Sequence, residues 1–258
     1  MLSLARCGGT GDAMSRFSLA ARAGAHPVHL VSPCDTCKAR EFSACAPLTA
    51  EEQKRLAAIM RTVDVEPHYT IFNEDDPAEF VYNVTAGTVK VYKLLGDGRR
   101  QITGFLFAGD FLGLTHNESY AYSAEALAPT TLCRFPRRKL EALLDEMPNL
   151  EQRLLAMASH ELAAAQDQMV LLGRKSARER VVSFILMLSN SAARHGRPSD
   201  PVFLPMSRSD IADYLGLTVE TVSRTLTRLR KQGLIELLDE KQVRLSKQYE
   251  LREIAEGF

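Results

Sequence analysis

The 258-residue sequence predicts an α+β protein with an N-terminal antiparallel β-roll of the jelly-roll type, a long helix and a C-terminal winged helix-turn-helix domain. Short apolar runs separated by glycines fill residues 65–135, a heptad pattern fills residues 149–172, and two amphipathic helices follow residue 207. The expected regions are a disordered Gly/Ala/Ser-rich tail at 1–33, a cysteine loop with the β-roll at 34–147, the long helix at 148–173, and the winged helix at 174–258.

Composition and charge narrow the functional class. No run approaches the 18 or so apolar residues of a membrane helix, and the N-terminus has no signal-peptide core, so we expect a cytoplasmic, reducing location. Residues 34–173 carry 14 basic and 20 acidic side chains, whereas residues 174–258 carry 15 and 11. A basic C-terminal part favours contact with a polyanion, although scatter in surface charge explains the split equally well.

The first half of the chain has strand signals after one short helix. Thr49 is a predicted N-cap for that helix, with Glu51 and Glu52 in its first turn. The turn Gly96-Asp97-Gly98 is typical of a hairpin. Predicted strands cover Phe80–Val84, Val89–Tyr92, Gln101–Phe107 and Thr131–Phe135.

A long helix from about residue 149 to 172 is predicted between Pro148 and Gly173, which is a plausible stop. Its apolar residues have heptad spacing, the pattern by which two helices pair. The same stripe packed on the chain's own β-roll is the alternative, and the alternating alanines, which allow close helix approach, favour a homodimer. The predicted dimer seam consists of Leu155, Ala158, Leu162, Ala165, Met169 and Leu172.

Residues 207–232 predict a helix-turn-helix. Gly216 permits the tight turn, Thr218 caps a second helix from about Val219 to Gln232, and strands near 235–238 and 242–245 form a wing. On the outer face of that helix, Glu220, Ser223 and Arg224 are suited to reading base edges in double-stranded DNA. Arg208, Thr221 and Arg228 are placed for phosphates. A solvated charged face is the alternative, but the turn, the cap and both apolar stripes together favour DNA binding.

Four cysteines form a second candidate site. Cys34, Cys37 and Cys45 cluster in a loop, and Cys133 lies far away on a predicted strand. Spacing alone leaves an iron–sulfur cluster, a zinc site, and a thiol pair or simple core residues all open. Cys7 has no partner spacing and is not expected to be a ligand.

Taken together, these motifs resemble the FNR branch of the cyclic-AMP receptor protein (CRP/FNR) superfamily, whose β-roll is cyclic-nucleotide-binding-like. The resemblance spans residues 34 to about 245. It lies in the cysteines, Gln101-Ile102-Thr103-Gly104-Phe105, Gly109-Asp110, Leu132-Cys133-Arg134-Phe135-Pro136, Met147-Pro148-Asn149-Leu150, Gln166-Asp167, and the stretch Asp210-Ile211 through Arg224.

The resemblance implies an oxygen-responsive regulator in which Cys34, Cys37, Cys45 and Cys133 hold a [4Fe–4S] cluster that oxygen degrades. It also implies a homodimer on two-fold DNA with TTGAT-like half-sites, acting with RNA polymerase on anaerobic or microaerobic genes. Glu220, Ser223 and Arg224 match the base-reading positions of the family.

Two departures from the family pattern matter. The second cysteine spacing is seven residues where some members have five, which a loop can absorb. Ala165 occupies a seam position where the best-studied members carry an aspartate that opposes association. We therefore expect a dimer that persists without the cluster.

Other ligand and activity classes are disfavoured. Cyclic nucleotide binding needs an arginine for the phosphate, and none lies between Asp110 and Leu132. Haem would use His68 or His116, but lone histidines are more often ordinary residues. The sequence shows no nucleophile–base pairing, phosphate loop or paired carboxylates, so an enzyme is not expected.

Overall fold

The structure is a computed structural model that describes residues 33–257. Almost all of the predicted disordered tail, with Cys7, lies outside the described residues. Within the described range, no helix combines the length and the apolar character needed to cross a membrane.

The N-terminal part begins with the cysteine loop and builds a β-roll. A 3₁₀ turn at Arg40–Phe42 precedes helix α1 (Ala50–Ile59), whose predicted N-cap Thr49 is confirmed. The Thr49 hydroxyl accepts the Glu52 N–H at 3.3 Å, and the Glu52 carboxylate accepts the Thr49 N–H at 2.8 Å. The strands are β1 (Arg61–Val65), β2 (Thr70–Phe72), β3 (Phe80–Ala86), β4 (Thr88–Leu94), β5 (Arg100–Phe107), β6 (Phe111–Leu112), β7 (Ser123–Ala126) and β8 (Thr130–Pro136).

These strands form two antiparallel sheets, in the orders β1-β8-β3-β6 and β2-β7-β4-β5. Fully buried side chains of both sheets, among them Val84, Val89 and Leu132, pack in the space between them. The predicted hairpin at Gly96-Asp97-Gly98 joins β4 to β5. The predicted β-roll is therefore confirmed, and the short strands β1, β2, β6 and β7 complete it.

Helix α2 (Arg137–Leu144) leads to the long helix α3 (Pro148–Arg174), which has Pro148 in its first turn. The prediction that Gly173 ends α3 is wrong by one residue, because the helix includes Gly173 and ends at Arg174, with Lys175 as its C-cap. A Cβ built at Gly173 would have no neighbouring atom within 4 Å. The surroundings of this position therefore do not require a glycine.

The C-terminal part is the predicted winged helix-turn-helix. It consists of α4 (Ala177–Arg194), β9 (Val202–Phe203), α5 (Arg208–Leu215), α6 (Val219–Lys231), β10 (Ile235–Leu237), β11 (Gln242–Leu245) and α7 (Gln248–Glu256). Gly216 adopts φ +61° at the end of α5, and Thr218 caps α6 by accepting the Thr221 N–H at 3.1 Å. Strand β9 adds a third strand to the predicted two-stranded wing.

The β-roll and the winged helix share one hydrophobic core across strand β5. The ring of Phe105 lies 5.9 Å from that of Phe184 in α4 and 5.2 Å from that of Tyr214 in α5. Polar bonds follow the same boundary, with Gln101 Nε2 donating to the Tyr214 carbonyl at 3.2 Å. The DNA-binding candidate region is thus packed firmly against the N-terminal domain.

Candidate nucleic-acid interface and cysteine cavity

Helix α6 presents the predicted base-reading residues to solvent. Glu220, Ser223 and Arg224 are all exposed, while Val222, Leu226 and Leu229 on the opposite face are buried. Arg224 Nη2 lies 3.4 Å from Glu220 Oε1, and both side chains are more than 70% exposed. An exposed ion pair of this kind is weak. Glu220 and Arg224 can therefore give up their mutual contact and bond to base edges at little cost in free energy.

The predicted phosphate contacts have different environments. Arg228 is exposed. Thr221 lies at the start of α6, where its hydroxyl is 2.8 Å from that of Thr218. Arg208 is half-buried at the start of α5, and burial lowers the pKa of its guanidinium although the nearby Glu240 acts in the opposite direction. Helix N-termini together with guanidinium groups are suited to phosphate oxygens.

The four cysteines implicated by the sequence lie around one cavity of about 150 Å³. Cys34, Cys37 and Cys45 enter it from the N-terminal loop, and Cys133 enters it from β8. Arg40, Gln53 and Asn83 are among its polar neighbours. All four thiols are partly buried and none forms a disulfide. Folding therefore brings Cys133 to the loop cysteines across about ninety residues of sequence.

Burial in the cavity disfavours the thiolate form of the cysteines. Burial, reinforced by the neighbouring thiols of the loop, raises the pKa of Cys133 to about 12. Burial also raises the pKa of Cys45, against a hydrogen bond with Ser43 that lowers it. Among residues 33–257, no three His, Cys, Asp or Glu side chains are arranged to hold a metal ion.

The cysteine loop is tied to the rest of the fold on both sides. Gln53 of α1 donates its side-chain amide to the Cys34 carbonyl at 3.3 Å. Arg153 of α3 donates to the Phe42 carbonyl at 3.1 Å and to the Ser43 carbonyl at 3.3 Å. A side chain of the long helix thus holds the backbone of the cysteine loop directly.

The predicted dimer seam lies on the outer face of α3. Leu155, Leu162 and Met169 are 67%, 60% and 65% exposed in the single chain. Ala158 and Ala165 are exposed as well, and Leu172 is half-buried against the shared core. The helix buries Leu150, Leu154 and Leu171 instead, so most of the heptad stripe does not pack on its own β-roll.

Sequence reasoning missed a buried ion cluster between the two domains. The alternation in Val89–Tyr92 places Lys90 on a polar face, yet its side chain is buried beneath α5. Lys90 Nζ lies 2.9 Å from Glu125 Oε1 and 3.1 Å from Asp210 Oδ1. Arg100 Nη2 adds a 2.9 Å pair with Asp213. No local pattern indicates this cluster, because Lys90 and Asp210 are 120 residues apart.

The haem candidates are both exposed. His68 contacts Glu125 through Nδ1 at 3.3 Å, with its side chain 80% exposed, and His116 lies on the surface. The prediction that neither serves as a haem ligand stays a prediction.

Two family models match this chain. The model described as "Cyclic nucleotide-binding domain" matches residues 62–147, and the model described as "Bacterial regulatory proteins, crp family" matches residues 204–235. The first covers most of the β-roll, and the second covers the helix-turn-helix and the start of the wing.

Curated relatives and a solved structure match over most of their lengths. "Nitrogen fixation regulation protein FixK" of Bradyrhizobium diazoefficiens is 43% identical over 80% of this chain and 86% of its own length. "Fumarate and nitrate reduction regulatory protein" of Salmonella typhi is 36% identical over 78% and 82%. The structure of FixK2 from Bradyrhizobium japonicum has 40% identity and a TM-score of 0.71, covering 76% of this chain and 97% of that one. These matched proteins are regulators rather than enzymes, which confirms the prediction on activity.

Proposed function

Since the chain belongs to the CRP/FNR family of bacterial transcription regulators, we propose that it is a dimeric regulator that senses oxygen through a [4Fe–4S] cluster. The observation that carries the sensing part is the convergence of Cys34, Cys37, Cys45 and Cys133 on one cavity. DNA binding is common to the family. We further propose that the cluster makes binding to a TTGAT-like palindrome respond to oxygen.

The number and type of donors fit the proposed cluster, although the thiols of the described residues do not stand in a metal-holding arrangement, so binding would draw them together. Four cysteine thiolates are the usual ligands of a [4Fe–4S] cluster, and this cavity is lined by four cysteines. Burial raises the pKa of Cys133, so thiolates at this site need a compensating positive charge, which the cluster would supply.

When bound, the cluster would supply an oxygen-labile cross-link between a loop and a strand. The residues of this chain define what that cross-link joins. Cys34, Cys37 and Cys45 belong to a loop held by Arg153 of the long helix, and Cys133 belongs to the β-roll. Ordering of the loop would therefore be transmitted through Arg153 to α3, the helix that carries the dimer seam.

The DNA part of the proposal depends on two copies of α6. An exposed stripe on α3 would pair with that of a second copy, which places two recognition helices about 34 Å apart on successive major grooves. Each α6 would read one half-site with Glu220, Ser223 and Arg224, while Arg208, Thr221 and Arg228 contact phosphates. Cytoplasmic action with RNA polymerase on anaerobic genes belongs to the same proposal.

Anaerobic iron and sulfide analysis tests the cluster. We expect close to four irons and four sulfides per wild-type chain, retention in Cys7→Ala as the matched control, and loss in Cys133→Ala. Exposure of the wild-type protein to air should remove the iron and weaken DNA binding together. Stoichiometric zinc instead of iron, or unchanged iron in Cys133→Ala, would refute the assignment.

The dimer is proposed to persist without the cluster, because Ala165 places no charge on the seam. We expect cluster-free protein to sediment as a dimer at micromolar concentration. A monomer under these conditions would show that oxygen acts by dissociation in this chain as well.

A further inference from the structure

The side chain of Phe42 links the cysteine loop to the DNA-binding domain. Phe42 lies in the seven-residue spacer between Cys37 and Cys45, in the short 3₁₀ turn. Its ring centroid is 5.7 Å from the imidazole of His195, which follows the last residue of α4. The loop that carries three of the cysteines therefore contacts the DNA-binding domain directly.

Two glycines make room for this aromatic side chain. A Cβ added at Gly196, next to His195, would lie 3.1 Å from the tip of the Phe42 ring. A Cβ added at Gly109 of the β-roll would lie 3.0 Å from the Cβ of Phe42. Both distances are tighter than ordinary contact, so Phe42 is closely seated between the β-roll and the end of α4.

His195 ties the same place to the β-roll. Its Nε2 lies 3.6 Å from Asp110 Oδ1, and its Nδ1 donates to the Ser191 carbonyl at 2.7 Å. Asp110 in turn accepts the backbone N–H of Phe107 at 2.8 Å. We call the group Phe42, Gly109, Asp110, His195 and Gly196 the junction.

The junction also reaches the long helix through the backbone of Phe42, whose carbonyl accepts from Arg153. One residue of the cysteine loop thus meets the β-roll, the proposed dimerisation helix and the DNA-binding domain. The larger shared core around Phe105 also joins the two domains, but it lies on β5 and does not include the cysteine loop. Changes within that loop therefore act on the DNA-binding domain most directly at Phe42.

We propose that Phe42 is the positioning residue through which the state of the cysteine loop sets the placement of the DNA-binding domain. An ordered loop seats the ring between Gly109 and Gly196 and fixes the end of α4. A loosened loop withdraws the ring and frees that end, because packed contacts switch between discrete arrangements and do not deform gradually. The switching part rests on the proposed cluster, whereas the mechanical link does not.

The first test measures the affinity for a duplex with a TTGAT palindrome, using anaerobic loaded protein and chelator-treated protein. Allosteric coupling is typically 5- to 150-fold, so we expect a wild-type affinity ratio of about that size. Phe42→Ala should keep its iron and bring the ratio within about two-fold of one. Phe42→Leu keeps an apolar side chain and should retain most of the wild-type affinity ratio. Glu41→Ala, at an exposed neighbouring residue, should give the same ratio as wild type. An unchanged ratio in iron-loaded Phe42→Ala would overturn the proposal.

His195→Ala approaches the junction from the side away from the cysteines. His195→Ala should also keep its iron and lose most of the affinity ratio between loaded and chelator-treated protein. This variant therefore tests the proposed coupling even if Phe42→Ala folds poorly or binds little iron. A wild-type ratio in His195→Ala would overturn the proposal.

Hydrogen exchange of the cluster-free protein tests the link independently of iron. Amides at 191–197 should exchange faster in Phe42→Ala than in Glu41→Ala or wild type. Equal exchange in all three proteins would overturn the link. If wild-type protein binds no iron, the proposed cluster fails, while this measurement still decides whether Phe42 holds the DNA-binding domain.

Discussion

Replacing Lys90 with methionine tests how strongly the two domains are locked together. Methionine keeps most of the length and apolar volume of the side chain but removes the ammonium group. The lysine side chain is 4% exposed, and the carboxylates of Glu125 and Asp210 that it pairs with are 13% and 8% exposed. Removing the cation leaves two buried carboxylates facing each other.

The magnitude follows from this burial. Removing one partner of a buried ion pair costs about 3–5 kcal/mol, because the remaining charge loses its compensation. Arg100 Nη2 remains 3.4 Å from Asp210 Oδ1, and His68 remains beside Glu125. These neighbours offset part of the loss, so we expect the free energy of unfolding to fall by about 3 kcal/mol.

Urea unfolding of wild type, Lys90→Met and Lys93→Met measures this difference. Lys93 lies on the same strand but is 53% exposed and pairs with Glu74 at the surface, so its replacement should cost less than about 1 kcal/mol. The triple variant with Lys90→Met, Glu125→Gln and Asp210→Asn should recover part of the loss, because no buried charge of the cluster is left uncompensated. A Lys90→Met protein as stable as Lys93→Met would refute the reasoning.

Four further outcomes are expected. Burial raises the pKa of Asp210, but hydrogen bonds from Ser207 and the charge of Lys90 outweigh burial and lower it. The stability that Asp210 contributes is therefore present above about pH 4 and should be lost as pH falls through the lowered pKa. In urea unfolding at a series of pH values, Asp210→Asn should show a smaller loss of stability over this acidic range. The carboxylate of Asp110, whose Oδ1 lies 3.6 Å from Nε2, raises the pKa of His195 against burial and the charge of Arg197. The stabilisation from His195 should therefore be full below about pH 6.5 and lost as pH rises through the raised pKa, and His195→Ala should lose this pH dependence. Arg224→Ala should lose selectivity at one base pair by about 1–3 kcal/mol in competition binding, whereas equal weakening on all sequences would make it a phosphate contact. Leu162→Glu should sediment as a monomer while Gln166→Glu stays dimeric, and a dimeric Leu162→Glu protein would remove the seam assignment.

Local sequence signals located most of the secondary structure. The turn at Gly96-Asp97-Gly98, the cap at Thr49 and the glycine at 216 each act through neighbours only a few residues away, so the sequence around them is sufficient to predict them. Gly173 shows the limit of such rules. A glycine near the end of an amphipathic helix indicates a stop, but α3 continues through this one.

The sequence by itself determined which chemistry the chain carries: four cysteines with one remote member, an outward Glu-Ser-Arg face on a capped helix, and an apolar heptad stripe. Tertiary structure alone decided that Lys90 is buried rather than solvated and that Phe42 meets His195, and it brought Cys133 to the cavity of the loop cysteines, which spacing alone had left open. The reason is physical: periodicity and capping depend on residues within a turn or two, whereas the burial of Lys90 depends on a helix 120 residues further along the chain packing over it.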